Sequence, residues 1–285
     1  MSKPTRIPLN RLSADEIVKA CEENYIDYWR CAGSSENAEY SDRGGITYCL
    51  TGLPQEIFNV VLKCSLDETT ADSNIDAVLE HFRSRRVPMI WHVGKLTKPN
   101  DVGNRLAARG FPHDYDLTAM AVDIDTAASA ADSAGSVSVE RVLDEPSSDL
   151  WIDVLTRSWE SPKEVGIWMR SNVCFSVEAE RQRRLALPRR LYLGVLDGKP
   201  VGACMLLWSD MVAGLQAVGT VPEARHRGVG KAVVEAALND ARELGFGYAV
   251  VLSTIEGQRL YEQCGFRAFG KLPEHSMYFD RSPQA

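Results

Sequence analysis

Apolar positions follow two different spacings along the second half of the chain. Short apolar segments typical of β-strands are SVSVERVL, RRLYLGVL, VGACMLLW, LQAVGTV and YAVVLS. Apolar residues recur at intervals of three and four, which predicts helices, in SSDLWIDVLTRSW, PKEVGIWMRSNV, VGKAVVEAALNDARELG and GQRLYEQCG. Asp197 and Gly198 predict a tight hairpin turn between RRLYLGVL and VGACMLLW, and FRAFGKL with HSMYF is expected to form another hairpin. This order of strands and helices predicts an α+β fold with a mixed sheet flanked by helices.

The first half of the chain has a related order of elements. The expected strands are ITYCLTGL, FNVVLKCSL, VPMIWHV and LTAMAVDI, and the expected helices are NIDAVLEHFRSR and NDVGNRLAARGF. Helix, strand, helix, Gly-Phe and strand follow one another here as they do after Gly230. The half is therefore predicted to be a second α/β domain, either a degenerate copy of the later one or an unrelated fold.

A segment of small and polar residues separates the two halves. Residues 125–136, DTAASAADSAGS, bury too little apolar surface to form a packed element, so we expect a linker there. The predicted division is an N-terminal domain over residues 1–124 and a second domain over residues 137–285.

Composition narrows the function classes. A chain of 285 residues with a net charge of −7 fits two domains and argues against a general binder of nucleic acid or of anionic membranes. The chain start lacks the apolar core of a signal peptide, and the longest apolar stretch, residues 201–208, is too short to span a bilayer. The seven cysteines form no Cys-x-x-Cys pair and the five histidines are scattered, so we expect reduced thiols, no metal site and a cytoplasmic protein.

The segment from Val218 to Lys231 has the pattern of an anion-binding loop. A strand enters a glycine-containing turn and a helix begins, so the first N–H groups of that helix lack internal partners. These donors, the helix dipole and nearby basic side chains suit a pyrophosphate. The predicted loop residues are Arg225, His226, Arg227, Gly228, Val229, Gly230 and Lys231. The spacing matches neither the Walker loop nor the dinucleotide-binding fingerprint.

A second pattern, Tyr261-x-x-x-Gly265-Phe266, follows after one helix and one strand. With Arg225-x-x-Gly228-x-Gly230 before it, residues 137–280 resemble the GNAT superfamily of acyl-CoA-dependent N-acyltransferases. The resemblance implies that the backbone of Val218, Gly219 and Thr220 holds the pantetheine arm of acetyl-CoA, and that the loop N–H groups hold its pyrophosphate. It also implies that Tyr261 is the general acid for the departing thiolate, although a tyrosine packed on the core by its ring is the structural alternative. Thr254 is expected to contact cofactor or acceptor.

The first half, by the same resemblance, is suspected to be a degenerate GNAT copy. The segment before its corresponding helix, SLDETTADSN, has no glycine and carries three acidic residues that repel a pyrophosphate. Leu106 stands four residues before Gly110, in the place that corresponds to Tyr261. We therefore expect one cofactor site in the chain.

The general base stays open at the level of sequence. The strand YAVVLS carries no carboxylate, unlike that of some family members. Candidates are Asp210, Glu160, Glu256, His226 and His275, and a proton relay through water is equally compatible.

The leading functional hypothesis is an N-acetyltransferase that moves an acetyl group from acetyl-CoA to a primary amine of a small molecule or peptide, as a monomer or homodimer. The alternative is a non-catalytic acyl-CoA sensor or scaffold with an acyltransferase fold. A nucleotide-phosphate binder that uses the Arg225 loop is a third hypothesis. The acceptor, and whether the donor acyl group is acetyl or longer, are not encoded in these motifs.

Overall fold

The computed structural model describes residues 6–127, 137–184 and 187–278. The helices are α1 (Ala14–Gly33), α2 (Ala71–Arg85), α3 (Val102–Ala107), α4 (Glu145–Ser158), α5 (Lys163–Arg170), α6 (Val177–Gln182), α7 (Val229–Leu244) and α8 (Ile255–Gln263). The strands are β1 (Glu39–Arg43), β2 (Ile46–Leu50), β3 (Asn59–Cys64), β4 (Met89–His92), β5 (His113–Asp123), β6 (Val137–Arg141), β7 (Arg189–Leu196), β8 (Lys199–Trp208), β9 (Ala213–Thr220), β10 (Tyr248–Ser253) and β11 (Arg267–Met277).

Contacts divide the chain into two compact units that differ from the two sequence halves. The first unit contains Met1–Ala32 and Thr118–Gly270, and the second contains Gly33–Leu117 and Lys271–Ala285.

The first unit is a mixed sheet with helices on both faces. Its strand order is β5-β10-β9-β8-β7-β6, in which only the β9–β10 pair is parallel. The face covered by α7 buries Val233, Val234 and Leu238 against β8 and β9. Gly194 and Gly202 on this face let α7 lie close, since a Cβ on Gly202 would lie 2.4 Å from Val229 Cγ1. Helix α7 ends as expected at Gly245, which has a positive φ of 97°.

Helix α1 covers the other face of this sheet. Ile17, Val18 and Cys21 are buried in one cluster with Ala119 of β5 and Val250 of β10. Helix α1 was not among the predicted elements, although Ser13 and Glu16 form the reciprocal hydrogen bonds of a helix-start capping box.

The second unit is a smaller sheet with the order β1-β2-β3-β4-β11, in which β3 and β4 are parallel. Its core forms where α2 and α3 pack on the sheet, with Leu79, Phe82, Trp91 and Leu106 buried. The predicted helices and strands of residues 46–123 are thus present in the expected order.

A buried histidine and glutamate lie side by side in the second unit. His92 Nδ1 of β4 is 3.4 Å from Glu274 Oε1 of β11. Burial lowers the pKa of His92 to about 3. Burial, together with nearby carboxylates, raises the pKa of Glu274 to about 8. At neutral pH the contact therefore joins two uncharged groups.

The last strands of the two halves are exchanged between the units. Residues Thr118–Asp123 of β5 pair antiparallel with β10 in the first unit. Residues Met277 to Glu274 of β11 pair with Met89 to His92 of β4 in the second unit. Each unit thus completes its sheet with a strand from the other half of the sequence. That a linker at residues 125–136 separates the two halves of the sequence stays a proposal. Residues 128–136 of that segment lie outside the described residues.

The expected hairpin of FRAFGKL and HSMYF was wrong. Residues Arg267–Met277 form one continuous strand, β11. Pro273 and Glu274, the two residues between the segments, are not the Asn, Asp or Gly residues that favour the left-handed turn of a two-residue hairpin.

Candidate functional site

The parallel strands β9 and β10 separate after a short paired stretch. Ala213 pairs with Ala249 and Gly214 with Val250, and beyond Gly214 the described pairing of β9 is with β8 alone. Because β10 continues to Ser253 while it pairs with β5, a gap opens between β9 and β10. The backbone groups of β9 that face this gap are positioned to pair with an extended ligand, as they would with another strand.

A β-bulge lies in the part of β9 that borders this gap. Ala203 pairs with Gly219 and Met205 with Gln216, so Ala217 and Val218 both lie opposite Cys204. Ala217 has a positive φ of 49°, which is unusual for a residue with a side chain. Trp151 of α4 donates its indole N–H to the Cys204 carbonyl oxygen at 3.2 Å, so this buried acceptor has a partner at the bulge.

A buried amide pair marks the point where β9 leaves β10. Asn24 of α1 donates its Nδ2 to the Leu207 carbonyl oxygen at 3.1 Å and accepts from Gln216 Nε2 at 2.8 Å. Gly214 leaves room for this amide, since a Cβ there would lie 1.9 Å from Asn24 Oδ1. Asn24 and Gln216 belong to the first unit and are both buried.

The loop after β9 presents backbone donors to the same end of the sheet. His226 and Gly228 adopt positive φ values of 61° and 81°, and no side chain caps the start of α7. The amide of Ala232 donates to the Gly228 carbonyl, so the N–H groups before Ala232 form the uncapped first turn. Gly230 lies close to α8, because a Cβ there would be 3.2 Å from Leu260 Cδ2 and 3.4 Å from Thr220 Oγ1. The loop therefore has the form of an anion cradle built from backbone groups.

The basic side chains of the loop are engaged with protein groups. Arg225 donates to the carbonyl oxygens of Thr220 at 3.3 Å and Ser158 at 3.0 Å, so its guanidinium fixes the loop against β9 and α4. Arg227 pairs with Asp197 at 2.9 Å, and both side chains are largely exposed. Lys231 Nζ lies 3.2 Å from the buried carboxylate of Glu235 one turn later in α7. These cations contribute positive potential near the loop, while the close contacts to an anion are left to the backbone.

Tyr261 lies in α8 with its ring in the core. It is 7% exposed and packs edge to face on Phe266, with the ring centroids 5.5 Å apart. Burial raises the pKa of Tyr261 well above its usual value, so the phenol is protonated at every physiological pH. The ring packs on the core as in the structural alternative, and the raised pKa makes the phenol a weaker proton donor than an ordinary tyrosine.

Thr254 and the candidate bases take other places. The Thr254 hydroxyl caps α8 by accepting from the Gly257 N–H at 3.2 Å. His275 belongs to the second unit, where its Nδ1 contacts the Phe111 carbonyl oxygen at 2.8 Å. Glu256 and His226 are exposed. In the part of the chain that the structure describes, no hydrogen bond links any of these groups to Tyr261.

The corresponding gap of the second unit is filled by the protein's own backbone. β3 and β4 pair at Val60 with Ile90 and at Val61 with Trp91, as β9 and β10 do at two positions. Lys98 then pairs with Ser65 as an added strand residue. Its N–H donates to the Cys64 carbonyl at 2.7 Å, and its carbonyl accepts from the Leu66 N–H at 3.1 Å.

The helix start of the second unit is also unsuited to an anion. In the loop before α2, the Thr69 N–H is bound by Asp67 Oδ1 at 3.2 Å. Asp72 of the first turn pairs with Arg105 and Arg109. The expectation of a single cofactor site stays a prediction.

The sequence did not predict the side chains at the apex of the gap, the point where β9 leaves β10. Asn24, Gln216 and Trp151 meet only in three dimensions, and no local motif marks them. Buried polar residues within apolar segments are the one available signal, since a buried amide needs partners.

Neither a membrane helix nor a metal cluster is found within residues 6–127, 137–184 and 187–278. No helix there is long and apolar enough to cross a membrane. No three His, Cys, Asp or Glu side chains converge there to hold a metal ion.

Comparisons with known proteins agree with this architecture. Residues 153–266 match the model of the acetyltransferase (GNAT) family. Among curated protein sequences, none shows significant similarity to the chain.

Solved structures share the fold at low sequence identity. A GCN5-related N-acetyltransferase from Kribbella flavida is 12% identical, with a TM-score of 0.66 over 91% of this chain and 95% of that one. A GCN5-related N-acetyltransferase from Sphaerobacter thermophilus is 14% identical, with a TM-score of 0.59 over 97% and 95%. A tandem GNAT protein from the clavulanic acid biosynthesis pathway is 14% identical, with a TM-score of 0.55 over 95% and 98%.

The resemblance inferred from the two sequence patterns is therefore confirmed. Residues 153–266 are a domain of the acetyltransferase (GNAT) family, in a chain that has the fold of GNAT proteins, including a tandem GNAT protein, over most of its length.

Proposed function

We propose that the protein is an N-acetyltransferase that moves an acetyl group from acetyl-CoA to a primary amine of a small molecule or peptide. The observation that supports this most directly is the gap between β9 and β10, which leads to the uncapped first turn of α7. An extended pantetheine arm can pair with the backbone of Val218, Gly219 and Thr220, while the pyrophosphate meets the N–H groups of residues 226–231.

The chemistry requires no covalent enzyme intermediate. The acceptor amine attacks the thioester carbonyl carbon, and the carbonyl oxygen gains negative charge that a β9 backbone N–H at the bulge can stabilise. As the carbon–sulfur bond breaks, the sulfur leaves as a thiolate and takes a proton, for which Tyr261 is the proposed donor. The proton lost by the amine goes to water or to the acceptor's own solvent shell, since the described residues at the gap include no assigned base.

Binding of the donor tests the site. Isothermal titration of the full chain with acetyl-CoA should show one site, and no binding at millimolar acetyl-CoA would refute the assignment. ATP is the matched competitor, because a nucleotide-phosphate site would accept it at least as well as CoA.

The alternative, an acyl-CoA sensor or scaffold, is favoured by one specific observation. The side chains at the apex of the gap, Asn24 and Gln216, are amides that cannot accept a proton from an amine at neutral pH. Thiol release from acetyl-CoA, measured with and without a panel of primary amines, separates the two functions. Binding without amine-dependent thiol release identifies a sensor.

A further inference from the structure

Two cysteines from distant parts of the sequence meet in the first unit. Cys174 lies in the connection between α5 and α6, with its Sγ 4.0 Å from the Tyr28 carbonyl oxygen of α1. Next to it, Asn172 donates its Nδ2 to the Ala32 carbonyl at 2.8 Å and accepts from the Cys174 N–H at 3.0 Å. This connection is therefore fixed against the last turns of α1.

Cys31 lies on the part of α1 that Cys174 contacts. Cys31 lies on the same helix face as Tyr28, three residues earlier, and it directly precedes Ala32. Cys174 Sγ lies 4.0 Å from the Tyr28 carbonyl oxygen, and the side chain of Cys31 is one helical turn further along the same face of α1, so the two thiols are neighbours. Packing on both sides holds them there, since the rings of Tyr28 and Phe175 lie 5.9 Å apart.

The two thiols differ in their access to solvent. Cys31 is partly exposed, whereas Cys174 is buried. Of the two, Cys31 is therefore the residue that a soluble oxidant would meet first, with Cys174 behind it. The remaining five cysteines are all buried.

We propose that Cys31 and Cys174 are an oxidisable dithiol, which a soluble disulfide such as oxidised glutathione converts into an intramolecular disulfide. This inference does not depend on the proposed transferase activity. It departs from the sequence-based expectation, in which all seven cysteines stay reduced.

The reaction consists of two thiol–disulfide exchanges. The Cys31 sulfur, as thiolate, attacks one sulfur of oxidised glutathione, forms a mixed disulfide and releases one glutathione thiolate. The Cys174 sulfur then attacks Cys31 Sγ, forms the internal bond and releases the second glutathione. The two protons lost by the cysteines end on the two glutathione thiols, so the protein is oxidised by two electrons and glutathione disulfide is reduced. Because burial raises the pKa of Cys174, the second exchange is expected to be the slower one.

The bond can be detected by peptide mapping. The full chain is incubated with millimolar oxidised glutathione, denatured in the presence of N-ethylmaleimide so that every free thiol is blocked, and digested with trypsin. Cleavage gives residues 31–43 and residues 171–181, each with a single cysteine. The expected product is these two peptides joined, lighter by two hydrogen atoms than their sum, and separated again by dithiothreitol.

Variants separate the two steps. Cys174→Ser should leave Cys31 as a stable glutathione adduct, because nothing displaces it, and Cys174→Ala serves if the serine disturbs the core. Cys31→Ser should leave Cys174 unmodified. Cys21→Ala, in the same helix but away from the pair, is the matched control and should form the bond as the unchanged chain does.

Two results would overturn the proposal. One is recovery of both peptides alkylated by N-ethylmaleimide after oxidation of the folded chain. The other is a lasting glutathione adduct on Cys31 in the unchanged chain, because it would show that Cys174 does not reach Cys31.

Discussion

The closeness of α7 to the sheet should depend on the lack of a side chain at Gly202. A Cβ at this position would lie 2.4 Å from Val229 Cγ1, where ordinary contacts are 3.4 Å or more. Val229 is buried and β-branched, so it cannot rotate away at little cost. In Gly202→Ala the first turn of α7 must therefore retreat by roughly 1 Å, at a cost of about 1–3 kcal/mol in the free energy of unfolding.

The same retreat moves the N–H groups of the proposed pyrophosphate site. We expect acetyl-CoA to bind about tenfold more weakly to Gly202→Ala, which corresponds to about 1.4 kcal/mol, the size of a single hydrogen bond to a charged group. Isothermal titration measures this change, and urea unfolding followed by circular dichroism measures the stability.

Removal of the colliding methyl group should restore both properties. Val229→Ala alone leaves a small cavity and costs about 1–2 kcal/mol. In the double variant the added Cβ occupies part of that cavity, so the combined cost should fall short of the sum by at least about 1 kcal/mol.

The matched control is Val233→Ala with Gly202→Ala. Val233 lies on the same face of α7 as Val229. A Cβ at Gly194 would lie 2.9 Å from Val233 Cγ1, whereas a Cβ at Gly202 would not collide with Val233. This pair should be additive. Additivity within about 0.5 kcal/mol for the Val229 pair as well would refute the steric argument.

Three further predictions address the catalytic, electrostatic and topological features. Tyr261→Phe should lower amine-dependent turnover at least about tenfold while the acetyl-CoA affinity stays within about twofold, because only the hydroxyl is lost; equal turnover would remove the phenol from the mechanism. The folded-state pKa of Glu274 lies near 8, above the ordinary value of 4.5, so its contribution to stability is greatest at low pH and is lost as pH rises to 8. His92 has a lowered pKa and contributes stability that is lost only below pH 6.5, so Glu274 alone of the pair acts between pH 6.5 and 8. Over that range the free energy of unfolding should fall by about 2 kcal/mol in the unchanged chain and stay level in Glu274→Gln, as measured by urea midpoints. Residues 137–285 expressed alone should be insoluble, because they lack α1 and the β5 strand that pairs with β10. Co-expression of residues 1–127 should restore solubility, and a folded monomer of residues 137–285 would contradict the strand exchange.

Local signals predicted most elements of this fold. Gly245 stops α7 because its positive φ of 97° suits a residue without a side chain. Asp197 and Gly198 form the turn between β7 and β8 with φ values of 52° and 74°, which Asp and Gly adopt more readily than most residues. These features depend on a few neighbouring residues, so the sequence contains them in readable form.

Long-range pairing was not predictable in this way. The residues of β5 do not by themselves indicate whether this strand pairs with β10 or with a strand from the first half of the sequence, because an apolar strand fits either neighbour. The guanidinium of Arg225 was expected near a phosphate, yet it binds the carbonyls of Thr220 and Ser158, and only the tertiary fold brings Ser158 there. The backbone part of the candidate site was thus predictable, and the side-chain part was not.

The segment that ends at Lys98 covers a strand edge in the second unit, whereas the gap of the first unit leaves the edge of β9 open. An unpaired strand edge is a template for association with other chains, and proteins usually cover such edges. In the second unit Lys98 supplies the missing partner to Cys64 and Leu66. The edge of β9 beyond Gly214 has no such permanent cover among the described residues. A ligand that pairs with β9 would then also act as a protective strand, so the unliganded protein should aggregate on storage or heating more readily than the acetyl-CoA complex.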